Sequence, residues 1–96
     1  MTKHSLDFPQ GYDDYAFEVE SKGWFGEARL SFLGRQYRLN FYDPVRLGQD
    51  IDSEIQRGHL FFEPNLVVVQ SLTRPNMESA VARLVESGQV SLLIAE

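Results

Sequence analysis

Two runs of strict alternation meet at a glycine, and this arrangement constrains the fold more than any other feature of the chain. Ala28, Leu30 and Phe32 alternate with Glu27, Arg29 and Ser31, and Tyr37, Leu39 and Phe41 alternate with Arg38 and Asn40. A period of two is the signature of a strand with one face buried. Between the runs, Leu33-Gly34-Arg35-Gln36 offers a Gly-X pair suited to a two-residue type II′ turn. Pairing Leu33 with Gln36 sets Phe32 opposite Tyr37, Leu30 opposite Leu39 and Ala28 opposite Phe41. All three pairs are apolar and share one face, as the pleat requires.

Upstream, residues 1–13 are polar and contain Pro9 and Gly11, which reads as an N-terminal arm. Its apolar Leu6, Phe8 and Tyr12 imply that part of it lies on the domain. Tyr15, Phe17 and Val19 alternate with Ala16, Glu18 and Glu20, so a first strand is expected there, closed by Ser21-Lys22-Gly23. Residues 14–42 thus form a β-meander.

Downstream, Asp43-Pro44 reads as an N-cap followed by proline at the first helical position, opening a helix over 43–58. Leu47, Ile51 and Ile55 give it a thin apolar stripe, so this helix is peripheral. Residues 65–70 contain Leu66-Val67-Val68-Val69, an all-apolar run expected to be a strand buried on both faces. Met77, Ala80, Val81, Leu84 and Val85 place a second helix over 74–88, and 90–95 reads as a final strand.

The expected fold is therefore α+β with the order β-β-β-α-β-α-β: an antiparallel three-stranded meander extended by parallel strands. Crossovers between parallel strands are right-handed, so two successive crossovers stepping the same way put both helices on one face of the sheet. Ninety-six residues make a single domain, with about 65% of the unfolded surface buried on folding. The other face has no helix. Strand residues 66–69 must point apolar side chains that way, at roughly 1.5–3 kcal/mol for each one left in water. We expect the N-terminal arm to cover them, with a second copy of the chain or another protein as the alternative lid.

Nine basic against fourteen acidic residues give a net charge of −5, which argues against a phosphate-neutralising surface and hence against nucleic acid. The longest apolar run is four residues, so no membrane span is expected. Without cysteine, no disulfide scaffold or thiolate metal site exists, and a cytoplasmic location fits. No metal and no cofactor are expected: the acidic pairs Asp13-Asp14 and Asp50/Asp52/Glu54 lack the pattern of a calcium loop.

Three features stand out as candidate contacts. Phe61 and Phe62 lie in a connection, where aromatic residues are unusual; the commoner outcome is that Leu60 and one phenylalanine plug the end of the core, and the alternative is an aromatic contact patch that anchors an interface. Arg29 and Arg38 fall on the uncovered face, diagonal to each other by the expected register, and could clamp a carboxylate or phosphate. The commoner outcome is pairing with a nearby acid such as Glu18 or Glu27. Trp24 is the remaining candidate contact residue.

The sequence favours a small acidic non-catalytic protein-interaction domain, docking or self-associating through Phe61, Phe62, Arg29, Arg38 and Trp24. One alternative is a small-molecule or enzymatic site at the strand ends, built from Tyr42, Asp43, Arg46 and His59. Another is an acidic inhibitor, of the immunity type, for a basic enzyme.

Overall fold

The computed structural model describes residues 3–96. Among these residues, four strands form one mixed sheet in the order β1-β2-β3-β4: β1 (His4–Asp7), β2 (Trp24–Phe32), β3 (Arg35–Tyr42) and β4 (Leu66–Val68). β1, β2 and β3 are antiparallel neighbours, and β4 joins β3 in parallel. The described residues also form the α-helices α1 (Tyr12–Lys22), α2 (Pro44–Gln56) and α3 (Arg74–Glu86), followed by a short 3-10 helix (Gln89–Leu92), which completes the α+β fold. None of the described helices is long and apolar enough to cross a membrane.

The core lies on one face of the sheet. Phe25, Ala28 and Leu30 of β2 join Tyr37, Leu39 and Phe41 of β3 in a single buried cluster, and they are the alternating residues of the two runs. Tyr12 and Val19 of α1 and Met77 and Val81 of α3 pack into the same cluster, so these two helices cover the same side. α2 contributes no buried residue, as its thin stripe implies. Its start is nonetheless well specified: the Asp43 side chain accepts the Arg46 N–H, and Pro44 takes the first turn. α3 begins in the same way, with the Thr73 hydroxyl accepting from Asn76 N–H.

Four local expectations are corrected. Residues 15–20 are helical. Phe17, which alternation would bury beside Tyr15 and Val19, is 80% exposed, whereas Tyr12 and Val19, two helical turns apart, are buried. Asp13 and Asp14 in the first turn, Lys22 in the last, and Gly23 at φ 75 as the stop are the helix signals in this segment. The third strand of the meander is supplied by the arm, with Leu6 opposite Leu30 and Asp7 opposite Arg29.

The hairpin turns one residue earlier than Gly34-Arg35. Leu33 and Gly34 form the loop, both at positive φ (51 and 77), which is the type I′ conformation. Leu30 therefore pairs with Tyr37 and Ala28 with Leu39, a shift of two residues. An even shift keeps every side chain on its own face, so the apolar matching survives. One extra residue in β2, at Gly26-Glu27 opposite Asn40, makes a bulge that brings Phe25 opposite Phe41. A Cβ on Gly26 would stand 2.8 Å from the Asn40 side chain, so only glycine fits that approach.

The expected final strand is the 3-10 helix, where Val90 is buried and Leu92 is exposed. β4 itself is not buried on both faces: Val67 packs toward the core while Leu66 and Val68 remain exposed on the opposite face.

Candidate functional site

On the face of the sheet away from α1 and α3, exposed apolar side chains of β4 lie at an edge that no further strand pairs among the described residues. Asn40 pairs with Leu66 and Tyr42 with Val68, so Leu66 and Val68 share the face of β3 that lies away from α1 and α3. Leu66 is 38% exposed and Val68 46%. The arm cannot cover them, because β1 sits at the far edge of the sheet. Its Phe8 stacks on Phe25 and packs at a tilt against Tyr12, with the Arg74 guanidinium 4.3 Å from the Phe8 ring centre. Leu6 and Phe8 are thereby spent on the core side.

The connection from α2 to β4 adds to this region. Phe61 packs edge-on against Tyr42, with ring centres 6.1 Å apart, on the face away from α1 and α3, and leaves Tyr42 only 2% exposed. Phe62 is 74% exposed, and Leu60 is exposed as well, so the pair does not plug the core. Phe62, Leu66, Leu92 and Ile94 line a common cleft of about 390 Å³ along the β4 edge. Leu92 and Ile94 carry no sequence signal for this role, because the 90–95 pattern reads as a strand and no periodicity marks a 3-10 turn.

Asn65 closes this end of the sheet. At φ 54 it takes the left-handed conformation, and its side-chain amide donates to the Arg38 and Ile94 carbonyls and accepts from Ile94 N–H. The Asn40 amide donates to Pro64 O at 2.8 Å. These bonds fix the path of the 60–65 connection and so the positions of Phe61 and Phe62.

Arg29 and Arg38 are directly opposite each other on the uncovered face, one step closer than a diagonal pair. Arg29 Nε donates to Glu96 Oε1 at 2.7 Å. This hydrogen bond and the two guanidinium charges hold the Glu96 carboxyl below the usual carboxylate range. The carboxylate that the arginine pair receives thus comes from the chain itself, from Glu96 rather than Glu18 or Glu27. Trp24, 38% exposed, stands opposite Tyr42 on the same face.

The strand-end residues are engaged in structural contacts, two of them with each other through the Arg46 N–H to Asp43 bond. Tyr42 OH donates to Glu63 Oε1 at 3.0 Å; Asp43 caps α2. Arg46 bonds Asp50 at 2.9 Å and the Lys22 carbonyl at 3.1 Å, while His59 Nδ1 lies 3.0 Å from Glu54. Burial, then the hydrogen bond to Glu63, pushes the Tyr42 hydroxyl up to about 12. None of the four lines any of the five principal clefts among the described residues. What they hold in place is the junction of β3, α2 and the 60–65 connection.

No protein-family profile, no curated protein and no solved structure matches this chain.

Proposed function

We propose that this chain is a non-catalytic protein-interaction domain that docks through the β4 side of its sheet. The observation that carries the reading is the exposed apolar group formed by Phe62, Leu66, Val68, Leu92 and Ile94 at a sheet edge. Exposed contiguous apolar surface is costly in a monomer and marks a contact surface. An unpaired strand edge adds hydrogen-bonding groups that a partner can satisfy. The N-terminal arm, the cover expected from within the chain, is committed to the far edge.

Interface anchors are aromatic residues in desolvated surroundings, which assigns the leading role to Phe62, with Phe61 and Trp24 as its flanks. Arg29 and Arg38 sit at the polar rim. A photo-crosslinking amino acid placed at Phe62, and separately at the equally exposed Phe17 of α1, tests the reading in cell extract. A discrete crosslinked protein product from position 62 and none from position 17 is the expected result. Equal, diffuse labelling from both positions, or none from position 62, would refute it.

A further inference from the structure

The partner of the β4 edge, we infer, is a second copy of this chain, paired antiparallel about a two-fold axis at Val67. The inference rests on the docking reading above and specifies its occupant.

Hydrogen-bond directions along β4 set the geometry. Asn40 N–H donates to the Asn65 carbonyl, and Val69 N–H donates to the Tyr42 carbonyl. In a parallel ladder this turns the main-chain groups of residues 65, 67 and 69 toward β3 and those of Leu66 and Val68 outward. Two outward residues separated by one inward residue are the repeat that an antiparallel two-fold requires. Leu66 of one copy faces Val68 of the other, each such pair exchanges two N–H···O bonds, and Val67 faces itself at the axis. Four backbone hydrogen bonds form, and the sheet becomes eight-stranded.

Side chains suit the same arrangement. Leu66 and Val68 of both copies line up as one apolar strip on the uncovered face, the cross-strand contact that stabilises sheets. Residues 64–70 carry no charge, so two chains of net charge −5 meet without like charges at the axis. Phe62, Leu92 and Ile94 line the cleft beside this edge and extend the contact. Phe62, Leu66, Val68, Leu92 and Ile94 are 74%, 38%, 46%, 78% and 63% exposed, and pairing would draw on this apolar surface toward the roughly 800 Å² per partner of a standard interface.

Sedimentation of the purified 96-residue chain from micromolar to millimolar concentration tests the pairing. A species of twice 11.0 kDa is expected. Leu66→Lys combined with Val68→Lys, both at exposed positions, should give a monomer with an unchanged far-ultraviolet spectrum. The natural chain has no cysteine. Val67→Cys therefore introduces a single thiol, and facing residues of a non-hydrogen-bonded antiparallel pair lie about 4.5 Å apart at Cα, within disulfide reach. Oxidation should convert that variant to a covalent dimer. A natural chain that stays monomeric throughout, or a dimer that the lysine pair leaves intact, overturns the inference. If the chain is monomeric while position 62 crosslinks to a different protein, self-pairing fails and the docking reading survives. If position 62 crosslinks to nothing, both fall.

Discussion

Asn65 grips Ile94 with both ends of its amide, donating to the Ile94 carbonyl at 2.9 Å and accepting the Ile94 N–H at 2.8 Å. A side chain here does what a neighbouring strand would do. The same nitrogen also donates to the Arg38 carbonyl at 2.8 Å, so one residue ties the end of the chain to β3. Leu92 and Ile94 face the β4 cleft because of this tether.

Substituting Asn65 should therefore loosen the edge region. Asn65→Ala removes all three bonds and places a Cβ-bearing residue that lacks local side-chain bonding at φ 54. A loss of about 1–3 kcal/mol is expected in urea denaturation. Asn65→Gly tolerates the backbone conformation and should also lose the bonds, so amide exchange near Ile94 should accelerate in both variants.

Leu33 offers the opposite sign. It occupies the first loop position of a type I′ turn at φ 51 and its side chain is exposed. Leucine is strained there, and asparagine is the favoured residue in that conformation. Leu33→Asn should raise stability by about 0.5–1 kcal/mol, read as a higher denaturation midpoint with an unchanged slope.

Tyr42 should titrate late. Its hydroxyl is pushed from 10.0 to about 12, first by burial and then by the Glu63 carboxylate. The unfolded chain then releases this proton before the folded one does. The stabilisation is full below the ordinary tyrosine pKa and is lost as pH rises through the window from there to about 12. Ultraviolet tyrosinate titration should show a late-ionising tyrosine whose midpoint falls in Glu63→Gln. A midpoint unmoved by that change would show that Glu63 does not contribute.

The division between core and periphery predicts a contrast. Leu39 is fully buried at the centre of the cluster, whereas Ile55 of α2 is exposed. Leu39→Ala should cost about 2–5 kcal/mol and Ile55→Ala less than about 1. A comparable loss at Ile55 in the monomer would mean that α2 is packed more firmly than its exposure indicates.

Local chemistry made much of the fold legible. The caps at Asp43 and Thr73, the stripe of α3 and the faces of β2 and β3 follow from periods and hydrogen-bonding preferences that operate over a few residues. The candidate site was legible in part, since Phe61 and Phe62 stand out in a connection by type alone. Residues 15–20 were not, because six residues with apolar positions two apart fit a strand as well as a helix. Only packing distinguishes them, by burying Tyr12 and Val19 and leaving Phe17 in water.

The amino-acid order alone determined which side chains of β2 and β3 face inward, because alternation survives any even shift of register. It also determined that 66–69 would be an apolar strand wanting cover. Tertiary structure alone decided that this cover is missing. The arm could have crossed either face or either edge, and its pairing with β2 depends on contacts between segments more than twenty residues apart. The same holds for Asn65 and Ile94, whose meeting turns the end of the chain into a wall of the β4 cleft. Such long-range choices rest on the summed packing of the whole domain, which no local pattern records.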